Sequence, residues 1–126
     1  MILVDSNIII EFWKSGDENY LNTFRTRDIF LAGVCKAELL NGAKSDKELL
    51  QIKQALKNFP EISTSDSIWE RLGDNLYILR KSGITVPFQD ALIATLALEY
   101  SLKLWTLDKH FEMIQKILPD LVLFEL

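Results

Sequence analysis

Apolar residues occur along the chain as short continuous runs that alternate with stripes at helical spacing, the pattern of a parallel α/β sheet. Ile2-Leu3-Val4 fits a strand buried on both faces. The pattern breaks at Asp5-Ser6-Asn7, residue types that cap helices, and Ile8, Ile9 and Phe12 fit a first helix. Lys14-Ser15-Gly16-Asp17 predicts a turn, with Asp17 capping a short helix that carries Tyr20, Leu21 and Phe24. A second strand is expected over 28–32. A helix from Val34 to Leu40 should follow and stop at Asn41-Gly42.

Asp46 opens the next helix, whose apolar face is Leu49, Ile52 and Leu56, and a brief extended piece follows Pro60. Ile68, Leu72, Leu76 and Leu79 recur at helical spacing over 65–81, with Gly83 as the carboxyl cap. Pro87 suits the start of a helix running from Phe88 to Tyr100. This helix is apolar almost all round and should be buried, with Ala91, Ala94 and Ala97 allowing close packing. Residues 103–107 predict a strand, 109–117 a short helix, and 121–124 a final strand. No linker or repeat interrupts residues 1–126. The expectation is one domain, a three-layer α/β/α sandwich around a central, mainly parallel sheet of four to five strands.

Composition supports a packed core: 48% of the 126 residues are hydrophobic and 25% are charged. The longest greasy run, Ala91 to Leu98, is too short to span a bilayer, and Asp5 interrupts the apolar residues at the start, so neither a membrane span nor a signal peptide is expected. A single cysteine, Cys35, excludes an internal disulfide and suits the reducing cytoplasm. Acids outnumber bases by 18 to 14, but setting aside Asp5, Glu38, Asp90 and Asp108 leaves 14 against 14. A nucleic-acid backbone would therefore not be held by a strongly basic face, and bound cations would have to draw it in.

Those carboxylates are the candidate chemistry. Asp5 ends the first strand, where open α/β sheets keep their ligand sites, although a helix cap accounts for it equally well. Glu38 lies on a helix where a solvated face is the ordinary outcome. Asp90 stands early in its helix, where the dipole favours an acid, and Asp108 follows a strand, where a turn or cap would explain it. Considered together they carry more, because each sits at a strand end or on a helix entering or leaving the sheet. Four crowded carboxylates repel one another, and Mg²⁺ or Mn²⁺ relieves that strain with an oxygen-only ligand set. Zinc is not expected, since Cys35 and His110 stand apart in the sequence.

Asp5-Ser6-Asn7, Glu38-Leu39-Leu40-Asn41-Gly42-Ala43, Asp90-Ala91-Leu92-Ile93-Ala94 and Thr106-Leu107-Asp108-Lys109-His110-Phe111 resemble the successive motifs of PIN-domain nucleases. The resemblance is strongest to the VapC-type toxins of type II toxin–antitoxin pairs and spans essentially the whole chain. It implies a PIN-like fold and a Mg²⁺- or Mn²⁺-dependent endoribonuclease. Asp5, Glu38, Asp90 and Asp108 take the family's catalytic and metal-holding positions, and Asn7 and Thr106 its polar supporting ones. It further implies a homodimer, a cognate antitoxin protein and an RNA substrate. Ser6 stands where threonine is commoner, Leu107 where a polar or basic residue is frequent, and His110 where an acid is frequent. Ser6 and Thr106 would either hydrogen-bond a carboxylate or metal-bound water of the site or serve as strand or cap hydroxyls bonded to backbone.

Lys14, Arg25, Arg27, Lys44 and Lys109 are candidates for substrate contact; most of Phe12, Trp13, Tyr20 and Phe24 are expected in the core, and any left exposed would make a groove or dimer surface. Aspartyl-phosphate phosphatases need a second Asp where this chain has Asn7. The remaining alternative is a non-catalytic interaction module, either flavodoxin- or receiver-like or a degenerate PIN fold. No Walker loop or dinucleotide fingerprint supports nucleotide-cofactor chemistry.

Overall fold

The computed structural model describes residues 1–126. The chain runs β1 (Ile2–Val4), α1 (Ser6–Ser15), α2 (Glu18–Thr26), β2 (Ile29–Ala32), α3 (Gly33–Asn41), α4 (Asp46–Leu56), β3 (Glu61–Ile62), α5 (Asp66–Lys81), α6 (Phe88–Glu99), β4 (Lys103–Trp105) and α7 (His110–Ile117). The strands form one four-stranded sheet in the order β3-β2-β1-β4, with every pairing parallel. Helices α1, α3 and α4 pack together, as do α5, α6 and α7, and these groups with the sheet make the α/β/α sandwich.

The strand Ile2-Leu3-Val4 is fully buried, as its unbroken apolar run predicts. It lies between β2 and β4, with Leu3 beside Phe30 and Leu104. The sheet order turns about this strand, so the crevice outside its carboxyl end is where an open α/β sheet takes a ligand. Helix α1 begins there and ends at Gly16, whose φ of 62° makes the left-handed cap that closes onto Phe12. Helix α6 is buried continuously from Ala91 to Ala97. Its one buried hydroxyl, on Thr95, donates to the Ala91 carbonyl and accepts from Asn75, so nothing polar is left unpaired.

Two predicted strands come out shorter. The strand expected over 103–107 ends at Trp105, because the Thr106 hydroxyl and the Leu107 N–H are bonded to Asp5 and Asn7 instead of continuing the ladder. The strand expected over 121–124 is reduced to a single parallel bridge, Leu104 to Leu123. Lys103 donates to Met1 and Trp105 accepts from Asp5, both on the β1 side. In a strand this short, only Leu104 turns its backbone outward, and it pairs with Val122 and Phe124. The aromatic residues of α1 and α2 mostly join the core: Phe12 and Tyr20 pack edge-on against Phe24 and Trp105. Trp13 stays 44% exposed. No helix is long and apolar enough to cross a membrane.

Candidate active site

Four separate segments bring Asp5, Glu38, Asp90 and Asp108 to the carboxyl edge of the sheet. Asp5 follows β1, Glu38 lies on α3 directly after β2, Asp90 on the first turn of α6, and Asp108 on the loop after β4. Asp5 is the anchor and is only 6% exposed. Its Oδ1 accepts from the Ser6 N–H at 2.8 Å, and its Oδ2 accepts from the Thr106 hydroxyl at 2.8 Å and from Asn7 Nδ2 at 3.2 Å. One Asp5 carboxylate therefore caps α1 and also stands at the sheet edge among the other acids.

Thr106 ties the halves of the pocket together. While donating to Asp5, its hydroxyl accepts from Asn7 Nδ2 at 3.2 Å and from the Asp108 N–H at 3.0 Å, using its whole bonding capacity. Asn7 completes the frame by accepting from the Leu107 N–H at 3.1 Å. Ser6 reaches across to Glu38 Oε1 at 3.3 Å. All three supporting residues thus touch a site carboxylate or the loop that carries one. Thr106→Val keeps the shape but leaves these donors facing a methyl group. Its affinity for Mn²⁺, measured by calorimetry, should fall by about tenfold or more, the scale for residues that orient metal ligands.

Burial, first of all, holds the Asp5, Glu38 and Asp90 carboxyls above the usual carboxylate range. Their mutual charges add to the effect: Asp108 acts on Asp5 and Asp90, Asp5 on Glu38 and Asp90, and Asp90 on Glu38. No basic side chain of the lysine or arginine type balances them, since those ion pairs are Lys36–Glu61 and Arg71–Glu99, outside the pocket. Acids with raised folded pKa values bind more protons folded than unfolded. Stability of the metal-free protein is therefore lost as pH rises from about 4 through the raised values. In chelator, the melting temperature should be higher at pH 5 than at pH 7.5, and a divalent cation should narrow the gap. Melting that rises steadily with pH would contradict this.

Two groups that stand apart in the sequence join the cluster. Cys35, fully buried, places Sγ 3.9 Å from Asp5 Oδ1. Burial and then the Asp5 charge push its thiol far up, so in the metal-free protein it is a neutral thiol. His110 places Nδ1 3.2 Å from Asp108 Oδ1 and 3.7 Å from Asp90 Oδ2. Cys35 lies thirty positions from Asp5, and its apolar surroundings gave no hint of this contact. For His110 a signal existed: its place two residues after Asp108 allows the turn in which its N–H donates to Asp108 Oδ1. The possible ligand atoms fall into two groups, Asp5 with Cys35 and Glu38, and Asp90 with Asp108 and His110, each with all donors within 4.8 Å of one another. The oxygen-rich set, lacking a lysine or arginine counter-charge, fits a hard divalent cation.

Among the candidate bases, Lys14 and Lys44 line a groove of about 540 Å³ that opens beside Glu38. Arg27 precedes β2 at the opposite end of the sheet, with its guanidinium over the Phe124 ring. Lys109 stands between Asp108 and the start of α7.

The class these features define is an open parallel α/β sandwich with an acidic, cation-compatible pocket at the carboxyl edge of its central strand. The chain belongs to the PIN domain family, whose model matches residues 2–117. No curated protein matches it significantly. Solved structures share its fold: a chain of VapBC from Salmonella typhimurium, bound to DNA, is 21% identical with a TM-score of 0.86, over 98% of this chain and 96% of that one. A chain of VapBC2 from Rickettsia felis, bound to a promoter DNA fragment, is 22% identical with a TM-score of 0.83, over 98% of each. A chain of a toxin–antitoxin complex from Klebsiella pneumoniae is 22% identical with a TM-score of 0.72, over the full length of both.

Proposed function

We propose that residues 1–126 act as a single-domain, metal-dependent endoribonuclease that hydrolyses RNA phosphodiester bonds, the VapC-like toxin of a toxin–antitoxin pair. One observation carries this reading: Asp5, Glu38, Asp90 and Asp108 converge from four segments on one sheet edge without a lysine or arginine partner. Membership of the PIN domain family supports nuclease chemistry. The fold shared with chains of VapBC and toxin–antitoxin assemblies supports the toxin role.

Asp5, Glu38, Asp90 and Asp108 would hold Mg²⁺ or Mn²⁺, which when bound supplies a water of lowered pKa and positive charge against the scissile phosphate. Ser6, Asn7 and Thr106 hold the Asp5 carboxylate in one orientation, so no rotamer search precedes each turnover. Burial of Asp5 keeps bulk water off that carboxylate and strengthens its pull on a cation. Lys14 and Lys44, which line the groove beside Glu38, would meet phosphates of the RNA strand on that side.

The same groove exposes Ile10 and Trp13, apolar surface suited to a cognate antitoxin that would cover the pocket. A second open groove, lined by Tyr77, Ile84 and Val86, offers a face for a homodimer. The site of action is the cytoplasm, where RNA is met. Induced expression of the chain alone in a bacterial host should arrest growth and create new RNA ends, and the same chain carrying Asp90→Asn should do neither. Growth arrest by a stably folded Asp90→Asn chain would refute the nuclease toxin.

A further inference from the structure

We infer that His110 supplies an imidazole nitrogen to the divalent cation held at Asp90 and Asp108, and that this mixed donor set favours Mn²⁺ over Mg²⁺. The inference rests on the metal-site reading above and concerns the imidazole that stands beside Asp90 and Asp108.

The geometry places three donors together. His110 Nδ1 is 3.2 Å from Asp108 Oδ1 and 3.7 Å from Asp90 Oδ2, and the three residues offer ligand atoms all within 4.8 Å of one another. Neighbouring ligands of an octahedral ion bound at about 2.1 Å stand about 3 Å apart, so these spacings need only a small adjustment. Core packing does not account for the position of the ring, because the His110 side chain is 61% exposed. Its backbone is fixed instead. The His110 N–H donates to Asp108 Oδ1 at 2.9 Å, and the Asp108 N–H donates to Thr106, which is bonded to Asp5. The ring base is therefore tied to the same frame that orients the carboxylates.

Nitrogen at this position changes the choice of ion. Mg²⁺ demands oxygen ligands and gives up its waters reluctantly, whereas imidazole suits transition metals, for which affinity at mixed sites rises from Mn²⁺ through Co²⁺. A plain ion pair between a protonated His110 and the two acids would act in the opposite sense. It would compete with any cation, so deleting the ring would strengthen binding of Mg²⁺ and Mn²⁺ alike.

The test titrates chelator-stripped wild type, His110→Ala and His110→Asp with MnCl₂ and MgCl₂ by calorimetry, and records pulsed electron paramagnetic resonance of the Mn²⁺-loaded proteins. Wild type should show coupling of Mn²⁺ to a nitrogen nucleus, and His110→Ala should lose it. Mn²⁺ affinity should fall about tenfold or more in His110→Ala, while Mg²⁺ affinity changes by less than about threefold. His110→Asp should shift the preference towards Mg²⁺. Mn²⁺ bound by wild type without nitrogen coupling, or both ions bound more tightly by His110→Ala, would overturn the role of His110 and leave the acidic site standing. A wild type that binds neither ion would overturn the metal site itself.

Discussion

Asp90→Asn should lower RNA cleavage by at least about a hundredfold while leaving the fold intact. The substitution preserves size and removes one charge from the first turn of α6, where the Asp90 side chain is 16% exposed. In the proposed mechanism that charge helps hold the cation, and an amide is a far weaker ligand for a hard ion. Without metal the same charge is a liability. Burial, then Asp108 and Asp5, hold the Asp90 carboxyl above its ordinary range, so its ionised form destabilises the metal-free protein at neutral pH. The metal-free variant should therefore melt at or above the wild-type temperature, and the rise produced by Mn²⁺ should shrink. Loss of activity with unchanged or improved melting separates a functional carboxylate from a structural one. A folded variant that cleaves like wild type would refute the assignment of Asp90.

Trp105→Ala should cost about 3–5 kcal/mol of stability, a large part of the roughly 5–15 kcal/mol available to a domain. Trp105 is 3% exposed at the end of β4, and its ring meets Tyr20 at 5.1 Å, Phe24 at 5.3 Å and Phe124 at 5.4 Å. Truncation would empty the seam that joins the sheet, α2 and the segment after α7. Scanning calorimetry should show the melting temperature falling by more than about 10 °C. The Trp105 carbonyl also accepts the Asp5 N–H at 2.9 Å, so loosening β4 displaces the anchor of the pocket. A loss below about 1 kcal/mol would mean that the aromatic seam contributes little.

The fold was legible where burial and periodicity agree. Ile2-Leu3-Val4 has no polar residue to place on a solvent face, and Ala91 to Ala97 has almost none, so a central strand and a buried helix were the available solutions. Legibility failed where a polar side chain competed with the ladder. Thr106 looks like a good strand residue, yet its hydroxyl is worth more to Asp5, and β4 ends early. The last segment was misjudged for a geometric reason, since a strand of three residues turns only Leu104 outward and supports a single bridge.

The site divides in the same way. Each of its acids sits at a strand end or on a helix entering or leaving the sheet, so their common edge could be inferred from element order. The bonds of Thr106 to Asp5, 101 positions away, depend on the register of β4 against β1, which no local pattern encodes. Cys35 and His110 stand far from one another in sequence and so suggest no zinc site, yet each lies close to an acid, Cys35 three residues before Glu38 and His110 two after Asp108, and the fold groups them with those acids. Of the four early aromatics, most of which were expected in the core, Trp13 is left exposed and lines the groove beside Glu38, the place expected for any aromatic outside the core.

The most direct measurement is cleavage of total RNA by the purified protein with Mn²⁺, with Mg²⁺, with chelator, and by the Asp90→Asn variant in parallel. Discrete fragments should appear only with wild type and a divalent cation, and more readily with Mn²⁺. Cleavage that persists in chelator or in Asp90→Asn, or intact RNA with a folded wild type shown to bind Mn²⁺, would contradict a metal-dependent ribonuclease built on these four carboxylates.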